Sequence, residues 1–532
     1  MKYAVSGKDM KFIDNYTIKE GGIPSLVLME RAAQKVCDEL IKDCTDPRDV
    51  QFILVCGKGN NGADGIAMAR MMKRNELDVR VVLPGVENFE DLSVDVVQTL
   101  RATDEWKYQY KNAAEVGVEF NSYNDGFIKR CIQNTSKACT VIVDAMVGIG
   151  IADNLAGEIA AAASEINDVR HKNKNVYVYA VDVPSGVGFE PCVYADKVVT
   201  FGMVKKEMLT LPGARSIGYE KISDEYINID ENIVVGNIGF LKEAYSKSEL
   251  YGIVDDEDVS IIKNRDRWGN KGTFGKVFVA GGSTGMCGAG YFAAKSAYRT
   301  GAGLVRILCQ KESINIYQSL IPEAVLVIDE DNIGRQVAEQ VKWSDVTIVG
   351  PGLGISDRSR LIVRVALEAA KKYNKSLIID ADALNVIAME KELTNLYFPK
   401  VVITPHIGEM SRLTGFGCDE IKKDIISVGK TYAYKHKINV ILKDARSVIT
   451  DGEKTYINIY GNSGMAKAGS GDVLTGIVAG VICVCDDTMP ISYYCAVASA
   501  IHGMAAEKAT ENMLVGSLMA TDIIEGIGKI NI

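Results

Sequence analysis

The sequence predicts an α/β protein of two three-layer domains, each a largely parallel sheet between helices. Three observations predict it. Short β-branched runs alternate with helical periodicity through both halves, the signature of βαβ units. Most of those runs end in, or lead into, glycine or small polar residues, as strands do where they open on a crevice. And 532 residues, 47% hydrophobic and 24% charged, have a globular balance but exceed the roughly 250–300 residues that one core sustains.

In the first half the strands are expected at Gln51–Cys56, Val79–Leu83, Thr140–Asp144 and Val176–Val181. Between Gly218 and Gly269 the chain is dense in charge and lacks long periodic helices, with Ser246 to Glu249 its most loop-like stretch. The boundary is therefore set near residue 245, giving domains 1–245 and 246–532. In the second half strands are expected at Lys276–Ala280, Leu304–Cys309, Val346–Gly350, Ser376–Asp380, Val401–Thr404 and Asn439–Lys443. No motif recurs between the halves, so two different folds are read rather than a duplication.

Composition narrows the function. A net charge of −9 and a pI near 5.3 argue against a nucleic-acid binder that relies on a broad basic face. The start, with Lys8, Asp9 and Lys11, is unlike the apolar core of a signal peptide, and no run is apolar for the length of a membrane span. A cytoplasmic setting is expected. The twelve cysteines are scattered without metal or redox spacing, so reduced thiols are expected. Four histidines leave little for a histidine-rich metal centre. Chemistry must lean on Asp, Lys and backbone amides.

The strand Gln51–Cys56 runs into Gly57-Lys58-Gly59-Asn60-Asn61-Gly62-Ala63-Asp64-Gly65 before a helix Ile66–Arg74, the place for a phosphate loop in a dinucleotide-type fold. A second strand ends at Asp144 and continues to Gly150, and a third leads into Asp182-Val183-Pro184-Ser185-Gly186. The three ends are expected to meet in one crevice. There Asn61, Asp144 and Ser185 would offer hard oxygen donors suited to an alkali cation rather than zinc, although any one of them alone also suits a turn. Asp182 is the candidate proton-transfer group. Lys205 is a candidate for polarising or protonating a substrate, against the commoner fate of a solvated lysine.

In the second half, Asn270–Gly275 and Gly281–Gly290 allow close backbone approach, a weak signal taken singly. The ends at Gly350–Gly354, Asp380–Asn385 and Thr404–Glu409 sit at the expected crevice edge, which puts His406 within reach of a ligand; a lone histidine is otherwise usually a surface or cap residue. Lys443-Asp444-Ala445-Arg446-Ser447 offers a cation beside exposed amides, equally a nucleotide contact or a solvated hairpin turn. Asn462–Gly476 carries the strongest signal. Gly469 and Gly471 free backbone amides at the start of an apolar helix, whose positive end makes an anion hole, and Asp472 is set to take a proton from an attacking hydroxyl.

The Gly-Ser-Gly-Asp turn opening a late helix resembles the ribokinase-like superfamily. With the strings just named it resembles one branch, the NAD(P)H-hydrate dehydratases, over nearly all of residues 250–530. That resemblance implies dehydration of the S epimer of hydrated NADH or NADPH with ADP (or, in eukaryotic members, ATP) and Mg²⁺. It implies hydrate contacts at Ala289, Gly352, His406 and Asp472, with Asp472 as base, and adenine-nucleotide contacts at Lys443, Asp444, Ala445, Arg446, Ser447 and Gly471. The family often has Gly where Asp444 and Ala468 stand.

Residues 8 to about 240, with Met29–Ala32 and Thr200–Lys205 added to the strings above, resemble the NAD(P)H-hydrate epimerases, with a Rossmann-like fold. This implies a potassium ion at Asn61, Asp144 and Ser185. It also implies substrate contacts at Asn60, Asn61, Gly62, Ala63 and Asp64, at Gly148, Ile149, Gly150, Ile151, Ala152, Asp153 and Asn154, and at Asp182. Ala63 replaces a frequent glycine. Together the halves imply a cytoplasmic enzyme, expected as a homo-oligomer, that epimerises the R and S hydrates and dehydrates the S form, ADP giving AMP and phosphate. The other reading is a small-molecule kinase, for a hydroxymethylpyrimidine-like or sugar substrate, with a non-catalytic N-terminal binding module.

Overall fold

The computed structural model describes all residues except 87–99, 151–152, 211–212, 218–231, 264, 330, 486–487 and 531–532. Two compact units divide the chain. One comprises Tyr3–Leu250; the other comprises Tyr251–Ile532 with Met1–Lys2.

In the first unit the strands are β1 (Lys2–Val5), β2 (Val50–Cys56), β3 (Asp78–Leu83), β4 (Glu119–Ser122), β5 (Cys139–Ala145), β6 (Val176–Val181), β7 (Lys197–Phe201), β8 (Val204–Lys205) and β9 (Ile233–Gly236). Seven form one sheet in the order β4-β3-β2-β5-β6-β7-β9, parallel throughout. Every residue of β2 is buried, which is why Phe52 to Cys56 is an unbroken apolar run rather than an alternating one. Chain order reverses between β2 and β5, so the crevice at their carboxyl ends is the switch point of a Rossmann-like sheet. Separately, β1 pairs with β8, Val5 opposite Lys205.

The second unit contains β10 (Leu250–Ile253), β11 (Lys276–Ala280), β12 (Leu304–Cys309), β13 (Val325–Ile328), β14 (Val346–Val349), β15 (Ser376–Ile379), β16 (Val401–Ile403), β17 (Asn439–Leu442), β18 (Val448–Thr450) and β19 (Thr455–Ile457). They order as β13-β12-β11-β14-β15-β16-β17-β18-β19-β10. The pairing is parallel from β13 to β17, and antiparallel where β17, β18 and β19 form a meander. The switch point lies between β11 and β14. There Gly282 N donates to Pro351 O at 2.8 Å and Ser283 N to Gly352 O at 2.8 Å, locking the two strand ends together. Helices Cys287–Thr300 and Ser470–Val484 share one core cluster of this unit. Small residues let them close up: a Cβ at Gly476 would lie 2.1 Å from the Ala293 carbonyl.

Two differences from the sequence reading have physical causes. Strands β14 to β17 each stop one residue short of the expected end: Gly350, Asp380, Thr404 and Lys443 still donate their N–H to the neighbouring strand or the turn that follows it, but the regular ladder ends before them where the chain enters the crevice loops. And the expected loop before Ile66 is largely helix, which runs Asn60–Arg74 with Gly59 as N-cap. Gly62 permits this, since a Cβ there would lie 1.9 Å from Gly57 O. Among the described residues no helix is long and apolar enough to cross a membrane, and all twelve cysteines are free.

Candidate functional site

In the first unit, β6 delivers Asp182 with φ +66, a left-handed conformation that an aspartate tolerates better than most residues. The Asp182 Oδ1 accepts from Thr200 Oγ1 at 3.1 Å and Phe201 N at 3.3 Å, and it forms an ion pair with Lys205. The Lys205 ammonium also donates to Thr200 Oγ1 at 2.7 Å and Phe201 O at 2.9 Å, so three acceptors meet its three protons. Lys205 is only 1% exposed; it is not a solvated lysine but the buried partner of Asp182. Burial pushes the Asp64 carboxyl well above the usual range, reinforced by Asp182 and Asp14. Asp14, on helix Gly7–Lys19, is raised in the same way, by burial and then by Asp182. One ion pair thus stands beside two carboxyls whose hold on a proton burial strengthens, a set able to give and take protons.

The start of helix Gly7–Lys19 is tied to this cluster. Gly7 N donates to the Glu207 carboxylate at 3.2 Å, and a Cβ at Gly7 would meet that of Ile149 at 3.3 Å. Asp14 escaped the sequence reading because nothing near it marks a site; only the pairing of β1 with β8 brings its helix there.

At the switch point, Ser185 Oγ donates to Asp144 Oδ1 at 2.6 Å and Ser185 N to Asp144 Oδ2 at 2.7 Å. Val147 N donates to Ser185 Oγ at 2.8 Å, and Gly148 lies against the Asn61 side chain. Burial raises the Asp144 carboxyl to about 6 against the pull of Ser185. Asn61 is buried, and its Nδ2 has no hydrogen-bond partner. That nitrogen is a donor and does not itself call for a cation; what would suit potassium are the oxygens of Asn61, Asp144 and Ser185, hard donors with one carboxylate among them. No group of three or more His, Cys, Asp or Glu suited to a metal occurs among the described residues. Of the other expected contacts, Ala63 points its methyl into the core. Asn60, Asp153 and Asn154 are exposed, and Ile151 and Ala152 lie outside the described residues.

In the second unit, Lys443 Nζ lies 2.9 Å from Asp380 Oδ1, and Asp380 is 2% exposed. A Cβ at Gly471 would lie 3.2 Å from that ammonium and 3.8 Å from Asp380 Oδ2, so the pair sits directly against the anion turn. The sequence reading used Lys443 but assigned no role to Asp380. The turn is opened by Gly469, φ +93, which caps helix Ser470–Val484. Burial first, then Asp380, raises Asp472 to about 7, with Lys443 opposing. Glu409, also raised by burial, accepts from His406 N at 2.9 Å.

His406 is the N-cap of helix Ile407–Thr414. Its Nδ1 accepts from Gly408 N at 2.9 Å, which leaves Nε2 as the donor, 3.6 Å from Glu409 Oε1. Burial, with Lys443 and Arg412, lowers its pKa, favouring the neutral ring. Capping and ligand contact are therefore compatible, one per nitrogen. His406 also bridges to Lys443 across adjacent strand ends.

Ala289 and Gly352 abut, a Cβ on Gly352 meeting that of Ala289 at 3.0 Å. Asp444 to Ser447 form the turn between β17 and β18, and the Arg446 guanidinium there donates to Ile459 O. Neither Asp444 nor Ala468 has positive φ, so neither position requires glycine. Carboxylates at 380, 409 and 472 surround one lysine without forming a metal cage, so Mg²⁺ would be carried chiefly by nucleotide phosphates.

A family profile described as NAD(P)H-hydrate dehydratase matches residues 277–529, and one described as YjeF-related protein N-terminus matches residues 25–207. The bifunctional NAD(P)H-hydrate repair enzyme Nnr of Moorella thermoacetica is 31% identical, over 98% of this chain and 95% of that one. That of Thermofilum pendens is 30% identical over 88% and 86%, and that of Escherichia coli 28% identical over 96% and 90%. A solved ADP/ATP-dependent NAD(P)H-hydrate dehydratase from Bacillus subtilis is 26% identical, covering 51% of this chain and 95% of that one with a TM-score of 0.45. The full-length matches span both halves and favour repair over the small-molecule kinase reading. On those matches the chain belongs to the family of bifunctional NAD(P)H-hydrate repair enzymes.

Proposed function

We propose that residues 1–245 interconvert the R and S forms of hydrated NADH and NADPH, and that residues 246–532 dehydrate the S form at the expense of ADP. The observation that carries the second step is Asp472. It stands at a helix N-terminus with a proton affinity near neutrality, as a general base at pH 7 requires.

In the dehydratase step, Asp472 takes the proton of the substrate hydroxyl as its oxygen attacks the terminal phosphorus of ADP. The new O–P bond replaces the bond to the departing AMP. The amides of the Gly469–Asp472 turn and the Lys443 ammonium face the charge on the transferring group. The hydroxyl is now a phosphate ester, a far better leaving group than hydroxide. Its loss as phosphate, with a proton from the adjacent carbon, restores the dihydronicotinamide. Mg²⁺ bound with the nucleotide would neutralise phosphate charge.

In the epimerase step, Asp182 takes the hydroxyl proton as the bond from the hydrated carbon to the ring nitrogen opens, leaving an aldehyde, while Asp64 gives a proton to that nitrogen. Closure on the other face re-forms the bond and returns both protons, and Lys205 holds the Asp182 carboxylate in place throughout. A potassium ion held by Asn61, Asp144 and Ser185 would supply a fixed positive charge. The setting in this proposal is the cytoplasm and the state a homo-oligomer, which light scattering checks.

The test is incubation of chemically hydrated NADH with the protein, Mg²⁺ and either ADP or ATP, following recovery of the dihydronicotinamide absorbance. Recovery with ADP, releasing AMP and inorganic phosphate, is expected. No recovery with either nucleotide overturns the reading.

A further inference from the structure

Helix Ile491–Thr510 carries groups that the chemistry above does not use. Its residues from Ser492 to Ala506 are all buried, most of them within the apolar cluster of the second unit. An imidazole placed there costs free energy unless it is partnered. His502, 7% exposed, is partnered: its Nε2 lies 3.3 Å from Ser470 Oγ. Ser470, itself 7% exposed, is the first residue of helix Ser470–Val484, between the left-handed Gly469 and the Gly471 that touches Lys443.

Farther along, the same helix grips a second loop. The Gly503 backbone abuts Tyr460 and Gly461, a Cβ there falling 2.5 Å from the Tyr460 carbonyl carbon. Glu507 Oε1 accepts from Gly461 N at 2.8 Å, and Thr510 Oγ1 accepts from Asn462 Nδ2 at 2.9 Å. One residue before that loop is the Ile459 carbonyl that receives Arg446. A single helix therefore touches both the anion turn and the loop behind the β17–β18 turn.

We propose that His502 is a positioning residue for the nucleotide: by holding the Ser470 hydroxyl from below, it fixes the Gly469–Asp472 turn so that its amides face the phosphate. The inference rests on the reading of that turn as the phosphate site. Burial and then the charge of Lys443 lower the imidazole to about 3, so the ring stays neutral throughout the working range. It acts as a strut that adds no positive charge of its own and takes no part in proton transfer.

The experiment is a double-mutant cycle on the full chain, reading ADP affinity by calorimetry, with thermal melts reporting the fold. His502→Leu and Ser470→Ala should each weaken ADP binding by about three- to tenfold, the worth of one hydrogen bond. The double variant should be no weaker than the weaker single one, because both remove the same interaction. His502→Gln, which can still meet the hydroxyl, should recover most of the affinity. Independent, multiplicative losses overturn the proposal, and so does wild-type affinity in a folded His502→Leu protein. Should His502→Leu not fold, Ser470→Ala, which leaves the long helix untouched, decides alone: unchanged affinity there overturns it. Failure of ADP to bind the wild-type chain overturns the nucleotide reading itself, and this inference with it.

Discussion

Lys443 and Asp380 form an ion pair 2.9 Å long pressed against Gly471, so the cation facing the anion turn is held from behind by a carboxylate rather than left to swing in solvent. On the proposed dehydratase reading, this fixes an ammonium beside the turn that would take the nucleotide phosphate.

Gly471→Ala tests that packing. The added methyl meets Lys443 Nζ at 3.2 Å, so the lysine must retreat. ADP affinity should fall several-fold while the melting temperature moves by only a few degrees. Unchanged affinity would show that Lys443 does not reach the nucleotide.

The pH dependence follows from Asp472. As a base it works only when deprotonated, and its proton affinity lies near 7. Dehydration at saturating nucleotide should therefore rise with pH through about 7 and level off above it. Asp472→Asn should lose at least about 100-fold, the lower end of what a general base contributes. A flat profile in the wild-type enzyme argues for a different base.

Asp182→Asn should do two separable things. It leaves the buried Lys205 ammonium without its carboxylate, which costs about 3–5 kcal/mol in stability, and it removes the proton-transfer group. Adding Lys205→Met should restore much of the melting temperature but none of the R-to-S conversion. Recovery of conversion in the double variant would assign the chemistry elsewhere.

Potassium should stabilise the first unit through Asn61, Asp144 and Ser185. Thermal melts in KCl against a tetramethylammonium salt of equal ionic strength should show a K⁺-dependent rise in the wild-type protein. Asn61→Ala and Ser185→Ala should lose it. A rise that persists in both variants places the ion somewhere else.

Gly62→Ala should be destabilising by about 2–3 kcal/mol, the usual cost of overpacking, because its methyl would collide with Gly57 O. Urea unfolding of the first unit measures this; a neutral result would mean that the helix starts later than Asn60.

Strand positions were legible because buried parallel strands write themselves as apolar runs, and site residues collected at their ends for the topological reason that crevices open there. Asp144, Ser185 and Lys443 were placed on that rule, and Asp472 by the glycine turn that opens its helix. Other features rest on pairings across sequence distance. That Lys205 is buried follows from Asp182 waiting 23 residues earlier, and the charge near Gly471 is set by Asp380, 63 residues before Lys443. The helix start at Asn60 was misjudged because glycine and asparagine signal turns locally, while the close approach of Gly57 and Gly62 is a tertiary fact.

The profile matching the first half begins at residue 25, yet Val5 is the strand neighbour of Lys205 and Asp14 shares the field of Asp182. The opening strand and helix thus form part of the surroundings of Asp182 and Lys205. On the proposed epimerase reading, shortening the chain to its matched stretch strips Lys205 of its strand neighbour and Asp182 of an adjacent carboxyl, and the damage should register in R-to-S conversion even where the remaining sheet still folds.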